Sequence, residues 1–354
     1  MSKPSVSVLI DTYNHEQFIE QAITSVLEQD ISLSDVEILV VDDGSTDHTP
    51  DLARKFEPRI RLLRKPNGGQ ASAFNAGLAE CYGEIIAMLD GDDRWTRDKL
   101  RRALETLEQN PEVGMVGHGQ FEVYSDGRPN GLVIPGRDYR LDLSTRQNAE
   151  LFRHLAGFLG TSKMTIRKAI LDRVLPIPED LVIEADEYIF TLAPALAPAV
   201  ILNEPLFYYG FHAGNLFQFQ RYDPVKARRK LMVLEALVRE LPPKLREFGL
   251  ERDVIDTVSL DTHVQIDRLR LSLDGGSPFR TFTVERTAYE ISYRHMTLRY
   301  RLFKAFVLAQ TLLLPPRLFY RLRRWYAEKG LSRFRRWTGN PTPVVEMIER
   351  RPEC

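Results

Sequence analysis

The sequence predicts an α/β fold with a mainly parallel central sheet, followed by a helical C-terminal extension. Three observations carry this. Short apolar runs of strand length alternate with stretches of helical periodicity from Val6 to Leu89, the pattern of βαβ units. The apolar runs end in polar or acidic residues, and in parallel sheets ligands bind beyond the carboxyl ends of the strands. From Tyr222 onwards the alternation stops and long helical periods take over. With 354 residues, 43% hydrophobic and 27% charged, the composition is globular and the length suits about two domains. The expected division is residues 1–220 and 221–354.

Taken in order, residues 6–10 read as the first strand. Asn14 then resembles a helix N-cap, with Gln17 completing a capping box, and Phe18, Ile19, Ala22, Ile23, Val26 and Leu27 form one apolar helical face. Residues 36–41 and 60–63 read as strands, 47–56 and 70–79 as helices, and Asn67-Gly68-Gly69 as a turn. Residues 85–89 are apolar without interruption, as in a strand buried on both faces, and run into Asp90-Gly91-Asp92-Asp93. A helix capped by Thr96 is expected over 96–108, and separate strands over 113–116 and 120–124. Asp126-Gly127 reads as a turn, 131–148 as a loop over the cleft, 158–166 as a strand, and 206–211 as an edge strand. Helices over 227–240 and 254–273 are expected to join through Leu241-Pro242-Pro243, with a break at Asp274-Gly275-Gly276-Ser277.

Parallel strands place their carboxyl ends on one side. Asp11-Thr12, Asp42-Asp43, Asn67-Gly68-Gly69 and Asp90-Gly91-Asp92-Asp93 therefore belong to one rim. A single acidic turn is unremarkable, but independent turns have no reason to converge. Three carboxylates within four positions need a cation or hydrogen-bond donors, and magnesium or manganese prefers such oxygen ligands. The amides of Asn67 and Gln70 can bond sugar or phosphate without adding charge. No G-x-G-x-x-G turn follows the first strand, which disfavours a dinucleotide dehydrogenase. A nucleotidyltransferase also uses clustered carboxylates and a metal, but its glycine-rich basic phosphate loop is absent. The two cysteines, Cys81 and Cys354, make neither a disulfide framework nor a metal-ligand set and fit a reducing compartment. No signal peptide precedes the first strand and no apolar run is long enough to span a bilayer, so a cytoplasmic location is expected.

Four segments, SVSVLIDTYN (5–14), EILVVDDGST (37–46), NGGQASAFNAG (67–77) and LDGDD (89–93), resemble in order and spacing the family 2 glycosyltransferases of the GT-A fold. The resemblance covers about residues 5–215. It implies a Rossmann-type sandwich and an inverting transferase using a nucleotide-diphosphate-sugar donor, a UDP-sugar by the family's habit, with Mn2+ or Mg2+. Asp43 would bind the base, with Asp11, Thr12, Tyr13 and Glu16 lining the same pocket. Asp90, Gly91 and Asp92 would face ribose, diphosphate and metal. The family commonly has Pro where this chain has Asp11. A base is needed to take the acceptor's proton. Aligning Ile189-Phe190 with the family's apolar pair selects Asp186, and a frame slipped by one residue selects Glu187. Relatives carry an Arg shortly before a His that contacts diphosphate or metal; here Tyr209-Gly210-Phe211-His212 keeps the His and lacks the Arg. The implied setting is cell-surface polysaccharide or glycolipid assembly on a sugar or lipid-linked acceptor. The non-catalytic alternative is a nucleotide-sugar-binding or membrane-scaffold protein.

Residues 294–337 hold twelve Lys or Arg and one acidic residue, Glu328, interleaved with Leu302, Phe306, Leu313, Leu318, Trp325 and other apolar side chains. This pattern reads as a segment lying on an anionic membrane surface, peripheral to the cytoplasmic face, or as a helical hairpin packed on the rest. Nucleic acid is disfavoured, because Leu-rich faces suit acyl chains better than phosphates.

Overall fold

The computed structural model describes residues 6–124, 127–211, 223–292 and 298–325. The first part alternates as expected: β1 (Val6–Thr12), α1 (Ile19–Leu27), β2 (Val36–Asp42), α2 (Thr49–Arg54), β3 (Arg61–Arg64), α3 (Gln70–Glu80) and β4 (Ile85–Asp90). There follow β5 (Arg94–Trp95), α4 (Lys99–Gln109), β6 (Met115–Tyr124), β7 (Pro129–Val133), β8 (Tyr139–Leu141), α5 (Arg146–Leu155), β9 (Thr165–Arg167), α6 (Lys168–Val174), α7 (Ala185–Leu196) and β10 (Ala199–Phe211). The tail comprises α8 (Pro224–Glu247), α9 (Arg252–Val258), α10 (Leu260–Leu273), α11 (Pro278–Ser292) and α12 (Leu298–Gln310), then helical residues 316–325.

β1 is the hub of the sheet. It pairs in parallel with β2 on one side and β4 on the other, and β3 extends beyond β2. Strand residues alternate between two apolar layers, as a two-residue period requires. Val8, Ile10, Val40 and Leu89 meet Ile19, Ile23, Leu100 and Leu104 from α1 and α4. Leu9, Leu39, Val41 and Met88 meet Phe74, Leu78, Ile189 and Leu192 from α3 and α7. A slip of one residue would exchange the two faces. Burial thus fixes a register in which Thr12 lies opposite Asp42 and Asp11 opposite Asp90.

The sheet continues β4-β9-β6-β10-β5. β10 runs parallel to β6, while β9 is antiparallel to both β4 and β6. Several expectations are corrected here. Residues 113–116 and 120–124 are not separate strands, because β6 runs unbroken through Gly117 and Gly119. Residues 131–148 contain the end of β7, all of β8 and the start of α5; β8 has three residues, too few to show a period. In place of a strand over 158–166 there are 3-10 turns at Ala156–Phe158 and Thr161–Lys163, then the three-residue β9. Residues 206–211 are not an edge, because β10 has β5 and β6 on either side. Asn14 does not cap α1. It takes φ 56° and its Oδ1 accepts from Thr46 N at 2.8 Å.

In the tail, α8 continues through Pro242 and Pro243 despite the two amide hydrogens they lack. Buried Leu237, Leu241 and Leu245 hold it to the same apolar layer as α3 and α7, each contributing about 1.5–3 kcal/mol by burial. Val254, Ile255 and Val258 of α9 join that layer. The expected single helix over 254–273 divides at Ser259 into α9 and α10. A separate cluster of Val264, Leu271, Val284, Ala288, Phe319 and Tyr320 ties α10, α11 and residues 316–325 together.

Candidate active site

The backbone draws the four polar turns together. Asp43 N donates to Thr12 O at 2.9 Å, Lys65 N to Asp42 O at 3.0 Å, and Gly91 N to Asp11 O at 2.8 Å. The ends of β1, β2, β3 and β4 therefore form one continuous rim. Gly91 permits its closest approach, since a Cβ there would lie 2.6 Å from Thr12 Oγ1.

Asp43 is buried, and its carboxylate is the acceptor around which the next turn folds. Lys65 Nζ donates to Oδ1 at 2.6 Å, Asn67 Nδ2 to Oδ2 at 3.1 Å, Gly68 N to both oxygens at 3.0 and 3.2 Å, and Gly69 N to Oδ2 at 2.7 Å. Four donors match the roughly four lone-pair sites of a carboxylate. A nucleobase would reach this group only by displacing one of them. Asn67 is likewise turned inward, onto Asp43. Gly69 takes φ 85°, and a Cβ there would fall 2.7 Å from Val182 Cα; only glycine suits both demands.

The β1 turn is joined to the β2 turn. Asn14 N donates to Ser45 Oγ at 2.8 Å, His15 N to Thr49 Oγ1 at 2.8 Å, and Glu16 Oε2 accepts from His48 N at 3.1 Å. Glu16 is thus occupied in holding the two turns together, whereas Tyr13 is 44% exposed at the rim. Thr12 Oγ1 lies 3.3 Å from His15 Nδ1, and His15 Nε2 lies 3.8 Å from Asp92 Oδ2. His15 is a member of the rim that sequence reasoning passed over, although it stands in the same polar turn.

Behind the rim the carboxylates crowd. Burial pushes Asp11 from 3.8 up to about 8; a hydrogen bond with Asp90 opposes the shift and the charge of Asp92 adds to it. Asp11 Oδ1 is buried with no hydrogen-bond partner. Burial, then the charges of Asp11, Asp93, Asp92 and Asp186, raise Asp90 well above the carboxylate range. Asp93 rises through burial and the charge of Asp92, eased by a 2.6 Å hydrogen bond from Ser162 Oγ. Ser162 Oγ also accepts from Asp90 N at 3.1 Å. Sequence inspection placed Ser162 in a strand and gave it no role; the 3-10 turn is what aims its hydroxyl at the motif.

Asp186 and Glu187 open α7 and diverge. Asp186 Oδ2 accepts from Thr161 N at 3.0 Å, burial raises its pKa, and its charge is felt at both Asp11 and Asp90. Gln70 links this helix to the rim: its Nε2 donates to Asp90 Oδ1 at 3.5 Å and its Oε1 accepts from Ala185 N at 2.9 Å. Glu187 faces the tail. Thr262 Oγ1 stands 3.5 Å from Glu187 Oε1, beside a cavity of ≈ 170 Å³ that Phe152, Arg153, Ser259 and Asp261 also line, and burial pushes its pKa to about 8. His212 lies outside the described residues.

Among the described residues no group of three or more His, Cys, Asp or Glu forms a ready metal cage. The donor chemistry nevertheless suits a hard divalent ion, which binds through one or two carboxylates and completes its shell with phosphate and water. Asp90 and Asp92 offer that pair, and the unpartnered Oδ1 of Asp11 stands with them.

Comparison with known proteins agrees with this architecture. The family model described as Glycosyl transferase family 2 matches residues 7–174. That family's domain is therefore present over those residues, just under half of the chain. An uncharacterized glycosyltransferase of Nostoc sp. (strain PCC 7120) is 34% identical over 225 residues, 59% of this chain and 66% of that protein. The chain thus spans just under two thirds of that relative. Among solved structures, S. aureus TarS 1-349 in complex with UDP-GlcNAc superposes with TM-score 0.55 at 19% identity, covering 87% of this chain and 81% of that one. Mannosyltransferase PcManGT from Pyrobaculum calidifontis, in complex with GDP-Man and Mn2+, gives 0.53 at 20% identity, covering 93% and 84%. At such identity these likenesses establish the GT-A fold.

Proposed function

We propose that this chain transfers a sugar with inversion from a nucleotide-diphosphate-sugar, a UDP-sugar in the first instance, to a hydroxyl of a sugar or lipid-linked acceptor. The observation that carries the reading is the meeting of the strand-end carboxylates Asp11, Asp90 and Asp92 with a separate buried carboxylate, Asp186, held by α7. The TarS and PcManGT complexes, with their nucleotide sugars, lend it support.

In this reading Asp90 and Asp92 hold the divalent ion, which when bound offsets the charge developing on the departing diphosphate. The β1 turn and the Lys65–Gly69 turn receive the nucleoside, with Asp43 shaping the pocket through the donors it gathers. Asp186 is the base. Its carboxylate takes the proton from the acceptor hydroxyl as that oxygen bonds to the anomeric carbon and the bond to the diphosphate oxygen breaks. Burial makes Asp186 a stronger base than an exposed aspartate, the usual device for acid–base work near neutrality. Glu187 faces away and is assigned no proton transfer. The catalytic unit is residues 1–220, with α8 and α9 closing its second apolar layer.

The test is to incubate the chain with Mn2+, a panel of nucleotide sugars and simple acceptor glycosides, and to measure nucleoside diphosphate release and the anomeric configuration of the product. Inverted product that vanishes in Asp186→Asn supports the reading. Retained configuration, or undiminished transfer by that variant, contradicts it.

A further inference from the structure

We propose that residues 298–325 are a docking surface for an anionic lipid bilayer. This surface lies outside the strand-end site and does not depend on the chemistry assigned there. No residue of α12 is buried. Leu298, Leu302 and Phe306 recur every fourth position and are 68%, 63% and 62% exposed; in the turn that follows, Leu313 is 81% exposed. Leu318, Leu322 and Trp325 continue the run at helical spacing, all of them exposed. Soluble monomers seldom leave so continuous an apolar series in water.

The presentation is built in. On residues 316–325 the opposite side is anchored: Phe319 and Tyr320 are buried in the cluster with α10 and α11. Tyr320 Oη donates to Glu285 Oε1 at 3.0 Å, Arg323 Nη1 to the same oxygen at 2.7 Å, and Arg268 grips both Glu285 oxygens at 2.8 Å. Arg317 Nε donates to Leu273 O at 3.2 Å. With that side committed, Leu318, Leu322 and Trp325 are held outward.

Charge selects the occupant. Residues 298–325 contain seven Lys or Arg and no Asp or Glu, in a chain of net charge −1, and Arg299, Arg301 and Arg321 are exposed. Basic groups flanking Leu, Phe and Trp fit a bilayer interface, where arginines meet lipid phosphates and the apolar side chains enter the acyl boundary. A second copy of the chain would bring like charges together. Among the described residues no helix is long and apolar enough to cross a membrane, so the segment lies along the surface.

Vesicle flotation with the full chain tests this, using phosphatidylcholine alone and phosphatidylcholine mixed with phosphatidylglycerol. Flotation with the mixed vesicles only, weakened by high salt, is expected. The double variant Leu302→Glu/Phe306→Glu should lose roughly tenfold or more of its partitioning while its thermal stabilisation by nucleotide sugar is unchanged. Absence of flotation, equal flotation with both vesicles, or a double variant that floats like the parent overturns the proposal. So does light scattering that shows a lipid-free dimer dissolved by the same variant, or retention on DNA in place of vesicles. Failure of these arms leaves donor binding readable, so it is distinguishable from failure of the transfer reading.

Discussion

Burial raises both carboxyls that open α7, and their surroundings separate them: Asp186 accepts from the Thr161 amide on the rim side, whereas Glu187 faces the tail cavity. Asp186→Asn should lower kcat about 10²–10⁴-fold, the range of a lost general base, with donor affinity kept. Glu187→Gln should leave kcat within a few-fold and change the melting temperature instead, because Glu187 faces the tail cavity. Steady-state kinetics with a donor titration separate the two. Asp11 yields a second prediction. Its pKa is about 8 in the folded chain against an ordinary value of 3.8, so the folded state holds an extra proton between those limits. Its contribution to stability is complete below about pH 4 and is lost as pH rises through about 8. Without divalent cation, melting temperature should fall over that window, and Asp11→Asn should flatten the fall. A slope of opposite sign in the parent, or one unchanged in the variant, contradicts the burial described.

Elements differ in how openly the sequence declares them. The βαβ run to Asp90 was legible because its strands centre on short apolar runs and its turns carry glycine and acid. The rim was legible for the same reason, since parallel strands level their carboxyl ends. Asn14 misled, because a residue suited to an N-cap also tolerates a left-handed backbone, and the contact with Thr46 decided between them. β8 escaped notice because three residues show no period, and β9 was expected to begin at 158, seven residues too early, which hid the 3-10 turn that aims Ser162. Pro242 and Pro243 suggested a break, and tertiary burial of Leu241 and Leu245 overrode local preference. At this scale Gly69→Ala is the informative change. The added methyl meets Val182 with backbone at positive φ, so the α3–α7 junction should loosen by about 1–3 kcal/mol and nucleotide affinity should fall. Denaturant unfolding and donor titration of the variant check this; parental values in both would deny the junction its role.

Across the whole molecule, one apolar layer runs from β1 and β4 through α3 and α7 to α8 and α9. The helices that begin the tail are therefore part of the body that holds Asp186. Leu237→Ala, wholly buried on α8, should cost about 2–5 kcal/mol and shift the unfolding of β1, β4, α3, α7, α8 and α9 together. Hydrogen exchange that protects the sheet normally while α8 opens would contradict this. The proposed function also belongs to this scale, since it requires donor, ion and acceptor to meet where sheet and α7 come together. Isothermal titration of UDP-sugars, with GDP-sugars alongside, into the parent and Asp92→Asn with and without Mn2+ addresses that meeting in one experiment. A nucleotide sugar that binds the parent at least about tenfold more tightly with the ion, a difference of about 1.4 kcal/mol, and loses that gain in Asp92→Asn is the expected result. Equal affinity with and without the ion in both proteins would mean that the carboxylate rim does not grip a donor through a cation.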